Sequence, residues 1–226
     1  MAGALNTTLG VKCPQALIST STVREIVDYL GNVEYDAWHG EQKRDYSMER
    51  GCEMGHSKSL IAYFSRKGNN YVGGSIVNLP TGNTEIIAKK IRELTGSDVF
   101  RIETVKTYPE DYTETTNVAR EEQRQNGRPE LTGRVDAMDS YDVIYLGYPN
   151  WYGTMPMAVC TFLESYDFSG KTIIPYCTHE GSGMGRSERD IKKLCPKARV
   201  LPGLAIRGGS VDGADKDLSN WLKTST

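Results

Sequence analysis

Five residues supply hydroxyls, an amide side chain and a turn glycine, with no lysine or arginine among them: Ser65, Thr81, Gly82, Asn83 and Thr84. Such a set suits an anion held by neutral donors. A phosphate would take hydrogen bonds from the hydroxyls and from free N–H groups at a helix start, where the helix dipole also favours negative charge. Two more segments carry side chains with chemistry. Residues 148–154 hold Pro149, Asn150, Trp151, Tyr152 and Gly153, and the indole and phenol rings can stack on a planar ligand. Residues 178–183 hold Thr178, His179, Gly181, Ser182 and Gly183, where small residues let a ligand edge approach the backbone. His179 adds a ring that titrates near neutral pH. The three segments together describe a site for a flat aromatic ligand with a phosphate tail.

These segments matter only if the fold brings them to one place, and the hydrophobic pattern argues that it does. Apolar runs at 60–64, 99–103, 143–147, 172–177 and 199–201 are rich in Val, Ile, Leu and Tyr. The first and third are nearly unbroken, as in strands buried on both faces. Helical patterns lie near 84–95, 111–125, 155–166, 187–194 and 214–223. In the first of these Ile86, Ile87, Ile91 and Leu94 share one side, and Gly96 is a natural stop. Five strand–helix units in alternation imply a doubly wound parallel α/β sheet with right-handed crossovers. Ligands of such sheets bind beyond the carboxyl ends of the strands, where the strand order reverses. The three segments follow the first, third and fourth strands.

Residues 1–58 differ from this pattern. Thr22 to Leu30 read as a short amphipathic helix with a Thr22/Glu25 capping box, and residues 39–57 read as an irregular, charged linker. We therefore divide the chain into a 1–58 extension and a 59–226 domain. Cys52 and His56 give a Cys-x-x-x-His spacing, but no second cysteine pair accompanies it, and no metal site is expected.

The 226 residues carry 27 basic and 29 acidic side chains, for a net charge of −2. No basic cluster is present for a nucleic acid to bind. No apolar run approaches the length of a membrane span, and no signal sequence is evident. Five cysteines, odd in number and without a Cys-x-x-Cys pair, read as reduced thiols in the cytoplasm. The glycines at 181, 183 and 185 have the wrong spacing and position for a dinucleotide fingerprint, and no Walker Gly-Lys-Ser/Thr occurs.

The runs Tyr-Phe-Ser-Arg at 63–66, Thr-Gly-Asn-Thr at 81–84, Gly-Tyr-Pro-Asn-Trp-Tyr-Gly-Thr-Met-Pro at 147–156 and Cys-Thr-His-Glu-Gly-Ser-Gly at 177–183 resemble flavodoxin-like FMN proteins. The likeness is to a bacterial branch in which an insertion, here 66–80, separates the serine from Thr-Gly-Asn-Thr. It runs from Ser59 to the C-terminus. It implies a three-layer α/β/α sandwich with a five-stranded parallel sheet in the order 2-1-3-4-5, and non-covalently bound FMN. Ser65, Thr81, Gly82, Asn83 and Thr84 would then cradle the phosphate. Pro149, Asn150, Trp151, Tyr152 and Gly153 would flank the ring and ribityl chain, and Thr178, His179, Gly181, Ser182 and Gly183 would line the far side. Where typical flavodoxins carry an acidic loop with a stacking tyrosine, this chain has His179 and two glycines. A peptide rotation at Gly153 or Gly181 would offer a carbonyl to the flavin edge.

The function implied is electron transfer with redox partner proteins. The alternative is an NAD(P)H-dependent quinone or azo reductase on the same fold, in which the insertion and the aromatic loop shape a substrate pocket. A third possibility is an interaction module that takes up no FMN. The insertion is expected to be a lid over the cofactor, with Tyr71 against the phosphate or ribityl chain, or else a tolerated surface loop.

Overall fold

The computed structural model describes residues 57–225. The helix expected at 22–30, the linker and the Cys52/His56 pair lie outside the described residues. Strands are β1 (Ser59–Tyr63), β2 (Gly68–Val72), β3 (Ser75–Leu79), β4 (Asp98–Arg101), β5 (Val143–Pro149), β6 (Thr172–His179), β7 (Arg199–Val200) and β8 (Leu204–Arg207). Helices are α1 (Asn83–Thr95), α2 (Tyr112–Arg124), α3 (Met157–Glu164), α4 (Ser187–Leu194) and α5 (Asp215–Ser225).

The main sheet runs β4-β1-β5-β6-β7, with β8 also on β6, and every pairing in it is parallel. β4 leaves β1 on one side and β5 leaves it on the other, so the order reverses beside β1. This is the 2-1-3-4-5 order the sequence implies, with one difference in the fifth position.

There the strand is split. β7 pairs with Thr172 and Ile173, and β8 pairs with Tyr176 to His179. Pro175 of β6 faces the gap between them. It has no N–H to give to a neighbour, and the neighbouring chain turns through Pro202 and Gly203 at that point. A Cβ on Gly203 would lie 2.8 Å from the Pro175 carbonyl oxygen.

Side-chain alternation along the strands sorts the core into two layers. Leu60, Ala62, Ile144, Leu146, Tyr148 and Ile173 face α3 and α4 and pack with Phe162, Leu163 and Ile191. Ile61, Tyr63, Tyr145, Ile174 and Tyr176 face α1 and α5 and pack with Ile87, Ile91, Leu218 and Trp221. Gly147 of β5 makes room for a ring: a Cβ there would sit 2.1 Å from Cζ of Tyr176. Tyr176 is fully buried, and its hydroxyl has no hydrogen-bond partner among the described residues.

α1 stops where the sequence indicates. Gly96 is left-handed at φ 68°, and its N–H donates to the Arg92 carbonyl at 2.8 Å. The insertion is not an irregular loop. β2 and β3 form a separate antiparallel hairpin, Tyr71 opposite Ile76, turning at Gly73–Gly74.

Candidate functional site

The carboxyl ends of β1, β5 and β6 open on a cleft of about 510 Å³. It is lined by Ser65, Asn83 and Thr84 from the first loop, Pro149, Asn150 and Trp151 from the second, and Thr178, His179, Gly181 and Ser182 from the third. Ten of the fifteen sequence-predicted residues therefore converge on one cavity. Thr81, Gly82, Gly153 and Gly183 are not in its lining, and Tyr152 lines a neighbouring cavity of about 140 Å³. Arg66, Asn70, Leu79, Tyr112 and Glu180, none of them expected at the site from the sequence, also line the cleft, and so does Tyr71, which the sequence offers as a cover for the phosphate or ribityl chain.

At the phosphate end, the Glu85 N–H donates both to the Gly82 carbonyl at 3.0 Å and to Ser65 Oγ at 3.1 Å. Ser65 thus caps α1 from another element, in place of the missing side-chain cap at Gly82. The N–H groups of Asn83 and Thr84 precede the first intrahelical bond. Gly82 is glycine for space: its φ of −71° suits any residue, but a Cβ would lie 2.3 Å from Ser65 Oγ and 2.4 Å from the Arg66 carbonyl oxygen. The buried hydroxyls of Thr84 and Thr178 meet at 2.8 Å, joining the first loop to the third. One hydroxyl proton serves that bond and the other remains to be donated.

The second loop is a tight turn with Tyr152 at φ 51° and Gly153 at φ 82°, closed by Trp151 N–H to the Thr154 carbonyl at 2.8 Å. Two successive positive φ angles mark a type I′ turn, and tyrosine is an unusual occupant of its first position. Its hydroxyl donates to the Thr116 carbonyl at 2.8 Å, and Arg120 sits 5.2 Å from its ring centroid. Trp151 meets Phe64 and Tyr108 edge to face at 5.4 and 5.1 Å. The indole expected to stack on a ligand is therefore braced by a core cluster while bordering the cleft.

Asn150 ties the loops together. Its N–H donates to the Thr178 carbonyl at 2.8 Å, its Nδ2 donates to the Gly183 carbonyl at 2.8 Å, and its Oδ1 accepts from Gly153 N–H at 2.9 Å. The Gly153 carbonyl accepts from Arg186 N–H at 2.8 Å, so a peptide rotation there would break that bond. In the third loop His179 Nδ1 accepts from Gly181 N–H at 2.9 Å, which in the neutral ring leaves the hydrogen on Nε2. Burial, then the nearby Arg207 charge, lowers the His179 pKa. Cys177 behind this loop is buried, its thiol pushed up to about 12. It is packing, not a nucleophile.

Arg66 is the cation closest in sequence to the anion donors. Its guanidinium donates to the Pro109 and Glu110 carbonyls, both at 2.6 Å, and to the Asn69 carbonyl. A larger cavity of about 800 Å³ lies across the hairpin base, at the end of β4. It shares Ser65, Arg66 and Leu79 with the cleft but contains none of the second- or third-loop residues, so the chemistry belongs to the smaller space.

A strand-order reversal, an anion seat at the start of the first helix and an aromatic loop after the third strand of the sheet order make a specific combination. The sequence profile of the flavodoxin family matches residues 58–225. The chain belongs to the flavodoxin family. A putative flavoprotein from Bacteroides eggerthii is 27% identical, with a TM-score of 0.61, over 75% of this chain and 98% of that one. One from Bacteroides uniformis is 26% identical, with a TM-score of 0.57, over 74% of this chain and 98% of that one. A Lactobacillus acidophilus flavoprotein in complex with FMN shares the fold at 21% identity and a TM-score of 0.51, over 72% of this chain and 99% of its own. No curated protein matches the chain. Among the described residues no helix is long and apolar enough to cross a membrane.

The residues present fit the cofactor that the family implies. Neutral donors and a helix start suit a phosphate dianion, and Trp151 borders the same cleft as Ser65, Asn83 and Thr84.

Proposed function

We propose that this protein binds FMN non-covalently in the cleft and transfers electrons through it. The observation that carries the reading is the meeting of the first and third loops, hydroxyl to hydroxyl, at the start of α1, with Trp151 in the same cavity. Ser65, Asn83 and Thr84 would hold the phosphate, with Thr81 and Gly82 shaping their turn. Asn150 keeps the second and third loops in register, so that Pro149, Trp151 and the 178–183 segment face the ring. When bound, FMN supplies one- and two-electron redox chemistry. The chain orients it, shields it from water and sets its potential through stacking and backbone hydrogen bonds. His179, kept neutral by its surroundings, offers Nε2–H as a donor at the cleft. Buried free thiols at Cys160, Cys177 and Cys195 support a reducing compartment, the cytoplasm.

The 800 Å³ cavity beside the cleft favours a second reading, an oxidoreductase using NAD(P)H, because it offers a second ligand room next to Arg66 and Lys67. One experiment tests both. The purified protein is expected to be yellow with flavin absorbance bands, before or after incubation with FMN. Slow bleaching by anaerobic NADPH but rapid bleaching by dithionite supports a carrier that depends on a redox partner protein. Rapid bleaching by NADPH supports the oxidoreductase. Absence of flavin bands after incubation refutes the FMN reading.

A further inference from the structure

The hairpin inserted into the phosphate loop is built in a way that no phosphate-binding role explains. Its strands are five residues each, β3 is exposed along most of its length, and among the described residues the hairpin pairs with no further strand. A two-stranded hairpin of that size is marginal by itself in water. Something else must hold it, and the structure shows two anchors at opposite ends. At the base, the Arg66 guanidinium grips the Pro109 and Glu110 carbonyls at 2.6 Å. At the tip, Gly73 N–H donates to Glu180 Oε2 at 3.0 Å, across 107 residues of sequence.

Glu180 belongs to the third loop, between His179 and Gly181. The hairpin leaves the first loop, and its tip is fixed to the third. Between the anchors, Tyr71 lines the cleft and meets Tyr112 at a centroid distance of 6.2 Å. Tyr71 is 43% exposed, a large ring that the protein leaves partly uncovered. The second carboxylate oxygen, Glu180 Oε1, is buried and has no hydrogen-bond partner among the described residues. It lies where a Cβ on Gly208 would be, 2.2 Å away, and the Asn83 amide nitrogen is 2.5 Å from the same point. The carboxylate therefore sits between the hairpin tip and the start of α1.

We propose that the hairpin is a further wall of the cofactor site, that Glu180 and Arg66 position it across the cleft, and that Tyr71 covers the bound cofactor. This rests on the FMN reading above. With the tip attached, FMN leaves only when the Gly73–Glu180 bond opens. The anchor thus sets how fast the cofactor exchanges.

The full chain is loaded with FMN, and release is followed as flavin fluorescence recovers on dilution. Hydrogen exchange of the peptide covering residues 68–79 is measured in parallel, with and without FMN. Glu180→Ala removes the acceptor and is expected to speed release about tenfold or more, the lower end for a hydrogen bond to a charged group. It should also abolish exchange protection at the hairpin tip. Glu180→Gln keeps an acceptor oxygen and is expected to speed release only about three- to fourfold, since that bond loses its charge assistance, about half its strength. Tyr71→Ala alters an exposed side chain that the core does not need, and is expected to speed release with the tip still protected.

Unchanged release in Glu180→Ala, or equal acceleration in Glu180→Ala and Glu180→Gln, overturns the positioning role. Unchanged release in Tyr71→Ala overturns the covering role, whether or not the Glu180 variants fold. A parent chain that takes up no FMN overturns the functional reading and this inference with it. Hairpin protection lost in Glu180→Ala without FMN would then still show that the anchor exists.

Discussion

Gly82→Ala is the most direct test of the phosphate seat, because its cost can be worked out from the surroundings of one atom. The new methyl carbon would lie 2.3 Å from Ser65 Oγ, 2.4 Å from the Arg66 carbonyl oxygen and 2.8 Å from the Arg66 carbonyl carbon. Two of these are backbone atoms, so no side-chain rotation relieves the contact. Backbone strain at Gly82 itself adds nothing, since φ −71° and ψ 146° are ordinary for alanine. Overpacking of this kind costs about 1–3 kcal/mol. The smaller entropy of the unfolded alanine chain returns about 0.4–1 kcal/mol. A net loss of about 1–2 kcal/mol should lower the melting temperature by roughly 2–8 °C in a domain of this size. Cofactor affinity should suffer separately. The clash drives Ser65 away from the Glu85 N–H it now meets at 3.1 Å, removing one hydroxyl from the seat. A hydrogen bond to a charged group is worth about 1.5–3 kcal/mol, so Kd for FMN should rise about tenfold or more. The assay is a fluorescence titration of apoprotein with FMN, alongside thermal unfolding. Gly209→Ala is the control, since a Cβ there meets nothing within 4 Å. If Gly82→Ala matches Gly209→Ala in both measurements, the seat is not where we place it.

Three further outcomes are expected. Tyr176→Phe removes a buried hydroxyl with no partner and should raise stability by about 1 kcal/mol in urea unfolding; a loss of stability would mean that the hydroxyl has a partner. Asn150→Ala cuts the bonds to the Gly183 carbonyl and the Gly153 N–H, and should cost about 1–2 kcal/mol while weakening FMN binding; unchanged affinity would show that loop register does not matter. The His179 pKa is lowered in the folded state, so the unfolded chain binds the extra proton more readily, and the contribution of His179 to stability is complete above its unfolded value near 6.5. It is lost as pH falls from there through the lowered folded value, and protonation also takes the acceptor from Gly181 N–H. Unfolding free energies from pH 7 down to 5 should fall more steeply for the parent than for His179→Gln, and parallel slopes would refute this.

Much of this was legible because one physical rule governs it. Strands buried on both faces leave unbroken apolar runs, so Leu60–Phe64 and Val143–Gly147 announced β1 and β5, and the periodicity of Ile87 and Ile91 announced α1. Ser65, Asn83, Thr84, Asn150 and Trp151 were readable because anion donors and aromatic rings after apolar strands are uncommon. β8 was harder to see, because Leu204–Arg207 is four residues long and follows a Pro–Gly pair. The clue was Pro175, which cannot donate to a neighbour and so marks a break beside it. The hairpin was obscured because Asn69, Asn70, Gly73 and Gly74 look like loop composition, although paired strands around two glycines fit the same residues. The Glu180 anchor joins positions 107 residues apart and depends on tertiary structure that no local pattern encodes.

The split fifth strand has a consequence for how the protein behaves in a crowded solution. A long, straight outer strand exposes a row of unpaired backbone groups on which another chain can add itself, the first step toward aggregation. Here that row is two residues in β7 and four in β8, interrupted by Pro202 and Gly203. The interruption that Pro175 imposes on its neighbour also leaves this side of the sheet a poor template for a second molecule.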